Sequence, residues 1–152
     1  YGMLFLFLFG FGWGKPVPFD PFNLKNPRRD AAIISIAGPA SNFIIAIICA
    51  IFLKLFIFFK LSQLFFIGHI LLVPIIEFNL LLGVFNLIPV GPLDGFKVIG
   101  GILPSEKASE WYQLEKYGIF FLLALLIPIN GHSMLSSILN PTIFFLEKLL
   151  LF

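Results

Sequence analysis

Long apolar runs separated by short, proline-rich polar stretches set the pattern of this chain. A membrane-crossing helix needs about 20 predominantly apolar residues. Ala31–Leu53 meets that length, with Ser35, Ser41, Asn42 and Cys49 as its mildly polar interruptions. Leu64–Ile88 meets it again and carries His69, Pro74, Glu77, Asn79 and Asn86 through the crossing. Tyr1–Phe11 is apolar but short, begins in mid-run without an initiator Met, and has the look of the second half of a span; the chain is expected to be N-terminally truncated. Tyr117–Ile127 stops at Pro128, and Met134–Phe152 contains Pro141 and the pair Glu147, Lys148. These last two read as two tilted spans or as a re-entrant pair. The predicted fold is an all-α, multi-pass membrane protein with a Pro-rich extended or hairpin segment at the membrane surface, forming one domain over residues 1–152 with a hydrophobic tail at 117–152.

Composition removes the competing classes. Of 152 residues, 59% are hydrophobic and 12% charged, and the mean hydropathy is +1.03. Soluble domains sit near 45–50% apolar and about 25% charged, so a soluble enzyme or a disordered linker is excluded. The net charge of +2 is too small and scattered for a nucleic-acid footprint. The lone Cys49 excludes an intrachain disulfide and reads as a packing residue.

Basic residues set the expected orientation. Trp13–Asp30 holds Lys15, Lys25, Arg28 and Arg29, and Pro89–Lys116 holds Lys97, Lys107 and Lys116, against Lys54 and Lys60 in the loop between the two long spans. Segments 13–30 and 89–116 are therefore expected on the cytoplasmic side of a cell membrane, with Asp94 at or just inside that boundary.

Three clusters are not explained by a lipid solvent. In Asn86–Gly95 (NLIPVGPLDG), Pro89 ends the helix, Pro92 keeps the chain extended and Gly95 permits a sharp turn. Unwound backbone at membrane depth is tolerated only inside protein or beside a water-filled cavity. Asp94 at the tip of that break reads as a helix-capping residue or as a metal ligand, a cation offsetting the cost of a carboxylate in the membrane. In Ala37–Asn42 (AGPASN), Gly38 and Pro39 suit the first turn of a helix, and Ser41 and Asn42 place polar groups just after it. Small-residue helix packing accounts for that cluster taken alone. In Gly12–Arg29, four prolines exclude a helix, and Lys15–Phe19 suits an interfacial edge strand able to pair with an extended peptide.

Taken together and in this order, these motifs resemble the site-2 protease family of intramembrane zinc metallopeptidases (peptidase family M50), in particular its compact prokaryotic members without a PDZ domain. The resemblance covers residues 10–100 at high specificity. It implies hydrolysis of peptide bonds in or near transmembrane segments of a membrane-protein or peptide substrate, in the prokaryotic cell membrane. It makes Asp94 of the LDG motif a ligand to Zn²⁺, and it makes Asn42 of the GPxxN pattern a polar residue near the catalytic centre that assists substrate or oxyanion binding. Gly38 and Pro39 would position Asn42, and Asn86, Pro89, Pro92 and Gly95 would shape the approach to Asp94.

Catalytic zinc takes three protein ligands and keeps an open position for water. The family draws the other two from an HExxH helix, whose histidines share one helical face. These 152 residues contain no HExxH; the histidines are His69 and His132. The motif is expected before residue 1, and the chain by itself is expected to be inactive. A non-catalytic scaffold relative and, more remotely, a transporter subunit are the rival readings. A transporter would carry inverted repeats, and none is visible. His69 and Glu77, two turns apart, read as a buried polar contact between helices rather than as catalytic groups. His132 reads as an interfacial loop residue, and Glu106, Lys107, Glu110, Glu115 and Lys116 as the wet face of an amphipathic helix after Pro104.

Overall fold

The computed structural model describes residues 26–129 and 131–152. Helix α1 runs from Pro27 to Phe58 and α2 from Ser62 to Asn86. Two short helices follow, α3 (Asp94–Ile102) and α4 (Ser105–Gln113), and then a 3-10 turn at Glu115–Tyr117. Helix α5 (Gly118–Leu126) leads through a two-residue antiparallel pairing of β1 (Pro128–Ile129) with β2 (His132–Ser133) into α6 (Met134–Leu151). The chain is a helical membrane protein, and α1, α2 and α6 are long and apolar enough to cross a bilayer.

Helix α1 starts where a proline is best tolerated. Pro27 occupies the first turn, where its missing N–H costs nothing. The Asn26 N–H donates to the Asp30 carboxylate at 3.0 Å and closes the end. Pro39 therefore does not begin a helix, as the sequence led us to expect; it lies well inside α1 and is fully buried. With 32 residues, α1 is about 48 Å long, well beyond the roughly 30 Å of a hydrocarbon core.

Helix α2 returns antiparallel, seated by glycine notches. A Cβ on Gly68 would meet the Phe56 ring at 2.8 Å, and one on Gly83 would meet the Phe43 ring at 2.9 Å. Lipid is as apolar as leucine, so such small residues matter because they let helices approach closely. Between the notches Ala46, Ala50, Leu53, Ile76 and Leu80 form a buried core, flanked by Ile143, Leu146 and Leu150 of α6.

The notches fix the register, and the register shows that α2 stops short. Phe43 lies opposite Gly83, so the end of α2 at Asn86 is level with the neighbourhood of Gly38, well inside α1. The helix ends three residues before Pro89 rather than at it. Ile88, which precedes the proline, is disfavoured in helical conformation, and the Leu87 N–H is already shared between the Gly83 and Val84 carbonyls at 3.3 and 3.2 Å.

Beyond this break α3 takes over the face that α2 vacates. A Cβ on Gly101 would collide with Ala32 and lie 3.1 Å from the Arg28 carbonyl oxygen. Helix α3 thus runs from the break outward along the first turns of α1. Gly95 makes the junction, since a Cβ there would collide with the Leu87 carbonyl and stand 2.7 Å from the Ile88 oxygen. The glycine is needed for this close approach and not for the sharp turn read from the sequence.

Helix α5, with nine residues, is about 13 Å long and cannot cross the bilayer alone. It docks where Gly118 meets the backbone of Gly91, and Leu122 and Leu125 join Leu135 and Leu139 of α6 over Ile88 and Leu93. The Ser133 hydroxyl caps α6, accepting from the Ser136 N–H at 3.0 Å.

Gly95→Ala should destabilise the fold by at least about 1–3 kcal/mol, because the atoms it strikes are backbone and cannot rotate away. Denaturant titration of the protein in detergent, with Ser109→Ala on the exposed face of α4 as a comparison, measures the difference; an unchanged midpoint for Gly95→Ala would refute this account of the junction.

Candidate active site

The break brings the two signature motifs together. Asp94 is the first residue of α3, and its Oδ2 lies 3.3 Å from the position a Cβ on Gly38 would occupy. Gly38 leaves room for the carboxylate to rest against α1. Asn42 follows one turn later, so it shares Gly38's face of the helix; its side chain is half-buried. The carboxylate of LDG and the amide of GPxxN thus converge on one edge of α1, although 52 positions separate them in the chain.

Gly38 is seven residues into the apolar run that begins at Ala31, about 10 Å along the helix axis. The segment from Pro89 to Ile102 packs along the first turns of α1. The two polar segments do meet at one end of the bundle, where Tyr112 of α4 is within electrostatic reach of Arg28.

Short-range bonds tie part of the backbone of the break to itself. The Ile88 N–H donates to the Phe85 carbonyl at 3.1 Å, Val90 to Ile88 at 2.8 Å, Leu93 to Val90 at 2.9 Å and Phe96 to Leu93 at 3.2 Å. Ile88, Gly91 and Leu93 are buried, Pro89 and Pro92 are exposed, and the Gly91–Pro92 peptide is cis. Pro92 leads into an extended Leu93, which caps α3 without a side-chain bond. Asn86 turns its amide back onto its own helix, donating to the Leu82 carbonyl at 2.9 Å. Ser41 does the same toward Gly38, at 2.7 Å.

Asp94 has no hydrogen-bonded or ionic partner among the described residues, and it is not the capping residue of α3. A carboxylate oxygen is an ordinary zinc donor and supplies one of the three protein ligands a catalytic site needs. Among the described residues no three His, Cys, Asp or Glu side chains gather into a metal site. His69 cannot contribute, because its neighbour Gly68 packs on Phe56, 18 residues beyond Gly38 and about 27 Å along α1. Nor do His69 and Glu77 make the buried polar contact between helices expected of them. Both are exposed, and the His69 ring stands edge-on to Phe65 at 5.8 Å. His69 lines a cavity with Leu53, Lys54 and Ile57 of α1, and Glu77 is within electrostatic reach of Glu147 of α6, so spacing along one helix did not decide what faced them. The candidate peptide-binding segment Lys15–Phe19 lies outside the described residues.

One participant escaped the sequence reading. Trp111 of α4 stacks on Phe96 at 4.8 Å, and its indole N–H donates to the Phe96 carbonyl at 2.8 Å, two residues from Asp94. Next to it, Tyr112 fills the space left by Gly100. Burial raises the Tyr112 hydroxyl above its ordinary pKa; Arg28 opposes the rise and Glu115 adds to it. The expected wet face of this helix is present in exposed Glu106, Lys107 and Glu110, while Ala108, Trp111 and Tyr112 turn inward. The signal was a Trp-Tyr pair in an otherwise charged stretch.

These features define a helical membrane protein with a span broken at depth and a carboxylate at the break. No protein-family model and no solved structure matches the chain. Over 143 residues, 92% of this chain, it is 35% identical to the "Putative zinc metalloprotease YwhC" of Bacillus subtilis, covering 65% of that protein. Over 85 residues, 54% of the chain, it is 40% identical to "Zinc metalloprotease MJ0392" of Methanocaldococcus jannaschii, covering 22% of that protein. The chain therefore spans less than two thirds of the length of either relative. Both relatives are named as zinc metalloproteases, and the chain is similar to them over these stretches.

Paired cysteines at positions 38 and 94, in a Cys49→Ser background, should crosslink under mild oxidation. A pair at 94 and 131 should not. Failure of the first pair to crosslink, with the protein otherwise folded, would separate the two motifs.

Proposed function

We propose that the protein to which this chain belongs is a zinc metalloendopeptidase that cleaves membrane-protein or peptide substrates within the bilayer of a prokaryotic cell membrane. The observation that carries the reading is the position of Asp94. A carboxylate at the start of α3 rests against Gly38, about 10 Å inside the apolar run of α1. The names of the two relatives point to the same chemistry.

In this reading Asp94 holds the zinc with two histidines of an HExxH motif, expected in the part of the protein outside these 152 residues; this chain then supplies one ligand and is inactive alone. Bound zinc would acidify a water molecule and polarise the scissile carbonyl. Asn42, on the same edge of α1, donates its amide N–H to the oxygen on which negative charge develops. Gly38 keeps that edge open, and Trp111 and Gly95 hold the start of α3 so that the carboxylate stays in place. An extended substrate strand pairs with the segment around Lys15–Phe19.

Asp94→Ala in the complete protein should abolish cleavage of a membrane substrate and lower bound zinc, as measured by elemental analysis, by more than the roughly 10–100-fold typical of residues behind the ligands. Full zinc content in that variant would remove Asp94 from the ligand set. Asn42→Ala should instead lower kcat about 100-fold with zinc content unchanged; a loss of zinc would reassign Asn42 to the metal.

A further inference from the structure

At the end of the bundle remote from Asp94, α1, α2 and α6 converge around a cavity of about 290 Å³. Leu53, Ile57, Phe65, Val73, Leu151 and Phe152 give it an apolar wall, and Lys54 and His69 are its ionisable lining groups. None of the lining side chains is a carboxylate, so its two ionisable side chains are both basic. Lys54 stands four residues before the end of α1, about 6 Å along the axis, and His69 seven residues from the start of α2, about 10 Å. Those depths match the zone between hydrocarbon and headgroups. A lysine in that zone interrupts an apolar run at a cost of a few kcal/mol unless its charge is met, and no carboxylate is paired with it among the described residues.

We infer that this cavity is a binding site for an anionic phospholipid. The Lys54 ammonium takes the phosphate, and the His69 imidazole supplies a second N–H donor beside it. The glycerol end of one acyl chain enters between Leu53, Phe65 and Val73, and the rest lies in the surrounding bilayer. Charge complementarity selects the occupant. An apolar cavity alone would take any hydrocarbon, but one cation and one hydrogen-bond donor at headgroup level favour a net negative lipid over a zwitterionic one. The site is independent of the proteolytic reading, since it lies on the other side of the α1–α2 core from the break.

Native mass spectrometry of the full chain, extracted from membranes of mixed phosphatidylglycerol and phosphatidylcholine, tests it. The unaltered protein should retain phosphatidylglycerol preferentially. Lys54→Gln should lower that retention about fivefold, the worth of one surface cation, while Lys54→Arg should preserve it. His69→Phe, which keeps the ring against Phe65, should lower it by about two- to tenfold through the lost donor. Lys107→Gln, at the opposite end, should have no effect. Both Lys54 and His69 are exposed, and helicity by circular dichroism verifies that the variants fold. Equal retention of the two lipids, or equal losses for Lys54→Gln and Lys107→Gln, would overturn the proposal.

Discussion

Unwound backbone inside a bilayer must find its hydrogen bonds within the protein, and the arrangement of this chain follows from that constraint. Helix α2 stops level with Gly38 and leaves the first turns of α1 without a neighbour. The polypeptide then crosses a proline-rich break and resumes as α3 along the same face. Short-range bonds and close contacts hold the break: the N–H donations of Ile88, Val90, Leu93 and Phe96, the seating of Gly95 on the Leu87 and Ile88 carbonyls, and the docking of Gly118 on Gly91. Leu93 and Ile88 are covered by Leu135 and Leu139 of α6. The short helices and the C-terminal span thus cover a segment that could not face lipid.

The same constraint produces the functional geometry. A break leaves a helix start at membrane depth, and Asp94 occupies it. A carboxylate in that position is costly by itself and becomes useful when a cation meets it. Glycine at position 38 does for the site what Gly68 and Gly83 do for the core, since all three remove a side chain so that something else can approach. In the core the visitor is an aromatic ring, and at the break it is a carboxylate. Packing and chemistry therefore use one device, and a larger residue at Gly38 would be harmless to α1 as a helix while displacing Asp94.

Trp111 shows how the outer layer reaches the site. It lies in a helix whose other face carries Glu106, Lys107 and Glu110 in the wet zone. Its ring covers Phe96, and its N–H holds the Phe96 carbonyl, two residues from Asp94. The polar end of the molecule and the buried break are thereby coupled through one side chain.

The sequence by itself determined the class, because an apolar fraction of 59% and runs longer than a bilayer is thick leave no soluble alternative. It also determined which residues stood out, since Asn42, Asn86, Asp94 and the prolines around them are polar or helix-breaking groups where lipid favours neither. Partnership was beyond it. Helix-start statistics placed Pro39 in a first turn, because that rule treats each segment as though it lay alone. Only the tertiary structure decided that α2 ends early, that Gly95 serves close approach, and that His69 turns toward a cavity shared by three helices and Glu77 toward α6. Those outcomes depend on how far one helix slides past another, and the slide is fixed by glycine notches and aromatic rings from segments far apart in the chain.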